Sequence, residues 1–262
     1  KGPHSKGTLM CSEVRRVSFH HNLLAHNVAR NPQFSNNEGP DHIVNNVIYN
    51  WMYFGGVFSK AEENAPRINL IGNTWRAGPD TRTARYEAVV NNYPREPLIY
   101  VRDNIGHHRL DGTGDEWAIV GDGSSGLGEK WMRVSASKQI QRGKPWPDSP
   151  IGITIQSSRE AYDAVLAKAG AIAPQRDAVD QRVVNDVRKK TGKCIDDPSD
   201  VGGWPTLNPG KPPADADHDG MPDRWETEHG LDPSDPGDRN RTNLSKIGYT
   251  NLEVYINGLL QR

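Results

Sequence analysis

Four segments of the chain repeat one pattern of apolar and polar positions: VSFHHNLLAHN, HIVNNVIYNW, INLIGNTWRAG and IYVRDNIGHH. Aligning them sets Asn22, Asn46, Asn73 and Asn104 in one register, with Phe19, Ile43, Leu70 and Val101 three residues before each. The intervals of 24, 27 and 31 residues are those of successive coils in a solenoid. An asparagine recurring at a turn offers a donor and an acceptor to the coil above. The four can therefore stack as a ladder while the apolar positions stack inside. Antiparallel hairpins in a sandwich would call for short Asn-Gly turns, and the connections here are long, so a parallel β-helix is the favoured fold. The polar inserts at 34–40, 78–97 and 111–128 read as loops, which on a solenoid build the binding groove.

After Trp146 the period changes. Ser158 is a candidate N-cap for a helix over 159–169. A second helix over 176–191 carries Val179, Val183, Val184 and Val187 at helical spacing, with Gly192 as its stop. Both are expected to pack on the flank of the coil through their apolar stripes. Five prolines and three glycines between 198 and 213 then mark a linker. The organisation expected is a β-helix domain with flanking helices over 1–204, a proline-rich linker over 205–213 and a small module over 214–262.

Charge divides the chain in the same way. Although the net charge is −1, residues 196–238 hold twelve Asp or Glu against Lys211 and Arg224. The opening stretch 1–32 is basic instead, with Lys1, Lys6, Arg15, Arg16 and Arg30 against Glu13. Such a basic face suits a polyanionic partner. With 34% hydrophobic residues, 26 Gly and 19 Pro, the composition fits turn-rich β structure. No apolar run approaches the ~20 residues of a membrane span. Cys11 and Cys194 could pair only if the fold brought them together.

The acidic module carries a metal motif. Asp215 to Glu226, DADHDGMPDRWE, matches the calcium-loop template D-x-D-x-D-G-x5-E. Asp215, Asp217 and Asp219 would supply carboxylates, Gly220 the turn, Met221 its carbonyl, and Asp223 and Glu226 the closing oxygens of a shell suited to Ca2+. A second loop has decayed: Asn243, Ser245 and Ile247 precede Gly248, and Val254 stands at the closing position. One structural calcium site is expected.

HSKGTLM, the strand VSFHHNLLAHN and ARNP together resemble the pectate lyases of polysaccharide lyase family 1. That resemblance, over residues 1 to about 204, implies a right-handed parallel β-helix and cleavage of polygalacturonate by β-elimination. It implies Lys6 as the residue binding the uronate carboxylate and Arg30 as the base that takes the C5 proton. A further substrate-binding arginine of the family would fall at Gln33 or Ser35, so Arg67 and Arg76 are the substitutes, with His26 as another groove residue. The family's catalytic calcium carboxylates are expected on rungs preceding Lys6, and Glu13, Glu38 and Asp41 are the groove carboxylates to test in their place. Trp51, Tyr53, Phe54 and Trp75 are either sugar-stacking or core aromatics. The implied function is a secreted, calcium-assisted pectate lyase acting on polygalacturonate or a related acidic polysaccharide, with neither nucleic acid nor membrane as partner. The alternative is a non-catalytic β-helix that binds such a polysaccharide.

Overall fold

The computed structural model describes all residues except 1, 3, 13, 36–38, 60–66, 83–86, 92–97, 123–144, 148–151, 174, 207–209 and 260–262. The chain forms two compact units, one of Lys1–Gly170 with Asp177–Trp204 and one of Ala171–Arg176 with Pro205–Arg262.

The first unit winds strand by strand. The first coil holds β1 (Leu9–Cys11), β2 (Ser18–His20) and β3 (Leu23–Ala25), and the second holds β4 (Gln33–Ser35), β5 (Asp41–Val44) and β6 (Val47–Tyr49). The third holds β7 (Gly56–Ser59), β8 (Arg67–Ile71) and β9 (Thr74–Arg76), followed by β10 (Ala88–Asn91), β11 (Leu98–Arg102) and β12 (Val120–Asp122). Equivalent strands of successive coils pair into three sheets, ordered β1-β4-β7-β10-β12, β2-β5-β8-β11 and β3-β6-β9. Every pairing between these strands is parallel. This is the stacking of a parallel β-helix. Strands of three to five residues are too short to stand alone and are held by the coils on either side.

Phe19, Ile43, Leu70 and Val101 are direct partners in one sheet. Leu24, Ile48 and Trp75 align in another, and Phe34 lies over Phe58 in the third, with ring centroids 6.3 Å apart. These columns form one continuous core. Trp51 and Trp75 are buried in it, whereas Tyr53 is exposed. Between the second and third sheets the backbone turns through left-handed conformations at His21, Asn45, Gly72 and Asp103, each directly before a ladder asparagine. Asn46 Oδ1 accepts the Asn22 amide, Asn73 Oδ1 the Asn46 amide, and Asn104 Oδ1 the Asn73 amide, each at 3.0 Å. The ladder therefore satisfies its own buried donors and acceptors.

The insert at 34–40 does not begin as a loop, because Phe34 is a buried strand residue. The inserts at 78–97 and 111–128 likewise contain β10 and β12. These strands are three or four residues long and carry no ladder asparagine, so the periodic signal passes over the sheet they share. Cys11 and Cys194 are both free.

Among its described residues this unit also holds two α-helices, α1 (Ser158–Lys168) and α2 (Ala178–Lys189). Ser157 caps α1 in a reciprocal box with Glu160, and Asp177 caps α2. The first cap is thus one residue earlier than Ser158, whose own amide donates to Asp103 Oδ2 at 2.9 Å. Val165, Leu166, Val184 and Val187 pack on Val47 and Tyr49, which accounts for the valine stripe as packing.

The second unit contains α3 (Asp223–His229) and α4 (Asn251–Gly258). Among its described residues Met221 is the fully buried large apolar side chain, while Asp219, Glu226, Asp238 and Asn251 are buried polar ones. No helix among the described residues is long and apolar enough to cross a membrane.

Candidate functional site

Lys6 and Arg30 lie one coil apart on the same turn. Lys6 bridges Ala29 in parallel, the Gly7 amide donates to the Ala29 carbonyl at 3.0 Å, and the Thr8 amide donates to the Arg30 carbonyl at 2.8 Å. A Cβ at Gly7 would run into that Arg30 carbonyl, so glycine permits the close approach. Arg30 sits at φ +64° before a cis Asn31-Pro32 bond. Asn31, almost fully buried, anchors the turn by donating to the Phe54 carbonyl at 3.2 Å. Lys6 remains exposed and Arg30 half-buried.

The same line climbs further. The Tyr53 amide donates to the Val28 carbonyl at 2.9 Å, and the Arg82 amide to the Met52 carbonyl at 3.2 Å. The Arg82 guanidinium donates to the Tyr53 hydroxyl at 3.2 Å and sits 5.3 Å from its ring centroid. Lys6, Arg30, Tyr53 and Arg82 thus mark one edge of the coil with positive charge and an aromatic face.

Arg67 and Arg76 belong to the other two sheets. Arg67 opens β8 with its guanidinium 5.7 Å from the Trp146 ring centroid. Arg76 closes β9, donates to the Arg188 carbonyl at 3.4 Å and lies 5.9 Å from the Tyr162 ring. His26 is also turned toward α2, with Nδ1 2.9 Å from the Asn50 amide nitrogen and Nε2 3.4 Å from Asp186. Burial holds its pKa below the ordinary 6.5, against the opposing pull of Asp186. Asp41 is fully buried and accepts the Val17 amide at 2.9 Å. Glu13 and Glu38 lie outside the described residues.

In the second unit the acidic loop closes on itself. Asp215 Oδ2 accepts the Gly220 amide at 3.1 Å, Asp217 Oδ1 the Asp219 amide at 3.2 Å, and Asp219 Oδ1 the Met221 amide at 2.7 Å. His218 and Gly220 supply the left-handed turns, at φ +60° and +96°. Asp223 accepts the Ala216 amide at 2.7 Å and so braces the loop. Asp215, Asp217 and Asp219 each bring a carboxylate oxygen within 4.8 Å of the others, as do Asp219, Glu226 and Asp238. Burial first, then the neighbouring Asp219, Asp217, Asp238 and Asp223 charges, push the Glu226 carboxyl up to about 7. An all-oxygen donor set of this kind suits a hard divalent cation.

The chain is 33% identical over 261 residues to a probable pectate lyase C of Aspergillus flavus, an alignment covering 98% of this chain and 56% of that protein. The probable pectate lyases C of Aspergillus oryzae and Aspergillus fumigatus match at the same identity, over 261 and 259 residues and with the same coverage. Along nearly its whole length the chain is similar to these probable pectate lyases C. It spans about half the length of the curated relatives it matches, and no family model matches it.

Sequence reasoning passed over Arg82 and Asp238. The ladder asparagines give a frame, but Asn27, Met52 and Arg82, stacked by their backbones, stand five, six and nine residues beyond Asn22, Asn46 and Asn73. This lengthening offset hid Arg82. Asp238 lies outside the twelve-residue template, and nothing in its local spacing joins it to Asp219.

Proposed function

We propose that this chain cleaves polygalacturonate by β-elimination, as a secreted pectate lyase on a right-handed coil. Its lyase part runs to residue 204, and a calcium module over 214–262 follows a linker at 205–213. The observation that carries this reading is the juxtaposition of Lys6 and Arg30 on adjoining coils, in a chain aligned along 98% of its length with probable pectate lyases. The proton at C5 of a uronate is weakly acidic, and its removal drives charge into the adjoining carboxylate. The Lys6 ammonium binds that carboxylate and stabilises the developing charge. Arg30 takes the C5 proton, the C–H electrons form the C4–C5 double bond, and the C4–O bond breaks with the oxygen leaving to the neighbouring sugar. Arg30 acts as this base only with its guanidine unprotonated.

Arg82 and Tyr53 extend the same edge as a sugar-binding platform, and Arg67, Arg76 and His26 are second-choice substrate contacts. Among the described residues, the carboxylate clusters able to hold a cation lie within Asp215 to Asp238, and none accompanies Lys6 and Arg30. The tail residues do fit calcium: Asp215, Asp217, Asp219, the Met221 carbonyl and Glu226 would hold it in a structural role, with Asp223 bracing the loop.

The basic edge of Lys6, Arg30 and Arg82 would equally serve a second reading, a coil that binds acidic polysaccharide without cleaving it. Ultraviolet absorbance of the unsaturated product separates the two. Arg30→Ala is expected to abolish product formation while retaining oligogalacturonate binding, and Lys6→Ala to weaken both. Wild-type turnover by Arg30→Ala removes Arg30 as the base, and binding without any product from the wild-type chain supports the non-catalytic reading.

A further inference from the structure

Asp238 is only 1% exposed. Its Oδ2 accepts the Asp232 amide at 3.0 Å, while its Oδ1 is buried with no hydrogen-bond partner. Both Glu226 carboxylate oxygens and Asp219 Oδ2 are buried in the same condition. The Arg241 guanidinium is bound to Asp235 at 2.7 Å. Ionised carboxylates accept hydrogen bonds and cannot donate them, so three of them cannot satisfy one another while charged. Buried charges are found where they are paired or bind metal. Calcium holds oxygens at about 2.4 Å, so its ligand atoms lie within about 4.8 Å of one another, and carboxylate oxygens of Asp219, Glu226 and Asp238 meet that limit.

We propose that Asp238, twelve residues past Glu226, is a calcium ligand that joins the two halves of the tail at one cation centre. This rests on the reading of Asp215 to Glu226 as a calcium loop and extends it. Asp238 is also a seat for α4. Its carbonyl accepts the Asn251 side-chain amide at 2.8 Å and the Arg241 amide at 2.9 Å, and the Asn251 amide donates to the Arg241 carbonyl at 2.8 Å. Asn251 is fully buried and is the first residue of α4. The second half lacks the carboxylates for a loop of its own, with Asn243, Ser245, Ile247 and Val254 at the corresponding places. It is held through the first half's cation by lending one carboxylate to it.

The test is calcium titration calorimetry on the full chain, paired with limited proteolysis within 231–258. Asp238→Asn is expected to weaken calcium binding at least tenfold and to require correspondingly more calcium for protection. Asp217→Asn is expected to weaken binding as well, and Asp235→Asn, at a half-buried residue outside the cluster, to change neither readout. Protection of Asp238→Asn at saturating calcium shows that the variant still folds, so a missing ligand explains its weaker binding. Wild-type affinity in Asp238→Asn with weakened binding in Asp217→Asn overturns the role of Asp238 and leaves the loop reading standing. Absence of calcium uptake by the wild-type chain, or failure of Asp238→Asn to be protected at any calcium concentration, overturns the proposal too, the former together with the loop reading.

Discussion

The coil and the tail both bury polar side chains completely, and they differ in what those side chains can do for one another. Asn46, Asn73 and Asn104 are at most 1% exposed, as are Glu226 and Asp238. Each asparagine donates through Nδ2 and accepts through Oδ1, so a stack of identical residues closes its own hydrogen bonds from coil to coil. Asn73 receives the Asn46 amide and gives its own to the Ile43 carbonyl at 2.8 Å and to Asn104. The tail carboxylates have no such reciprocity. The difference is between a polar interior that is complete as a chain and one that calls for a counter-charge.

The largest effect should come from removing calcium. Chelation is expected to strip hydrogen-exchange protection from 223–229 and 251–258 while leaving the amides of β5, β6 and β8 protected. Simultaneous loss in both units would erase the contrast. A smaller effect, confined to the coil, should follow Asn73→Asp, which puts a carboxylate into the ladder opposite the Ile43 carbonyl and Asn104 Oδ1. Each buried group left unpaired costs about 1–3 kcal/mol, so a loss of about 3 kcal/mol is expected in thermal unfolding, equal with and without calcium. An unchanged melting temperature would show that the ladder tolerates an acceptor.

Along the basic edge, Arg82→Ala is expected to weaken oligogalacturonate binding by about 1 kcal/mol, the scale of a single exposed charge. Arg76→Ala, at a side chain packed beneath Tyr162, should leave binding nearly unchanged. Equilibrium binding to both variants checks this, and the reverse ranking would move the substrate to another sheet. The smallest effect is on pH dependence. Because burial lowers the His26 pKa below 6.5, the unfolded chain takes up that proton first as pH falls, and its contribution to stability, present above the unfolded value, is lost as pH falls from there through the folded one. The coil should therefore melt earlier at pH 5 than at pH 7, and His26→Gln should flatten that slope.

The ladder was legible because identical residues must recur wherever identical turns stack, and the left-handed positions before each asparagine follow that recurrence. Both flanking helices were legible from their period and caps to within a residue or two. The strands β4, β10 and β12 were not, since three or four residues cannot display a period and their pairing partners lie a whole coil away.

Sequence alone determined that Lys6 and Arg30 share the basic opening stretch and that Asp215, Asp217 and Asp219 sit at alternate positions of one loop, because these relations are local. Only the tertiary structure decided that Arg67 and Arg76 lie on sheets other than the Lys6 and Arg30 edge, that Arg82 climbs the same line, and that Asp238 meets Asp219 and Glu226. Coil length varies between equivalent turns, and a carboxylate's partners are chosen by distance in space, so neither relation leaves a fixed spacing in the chain.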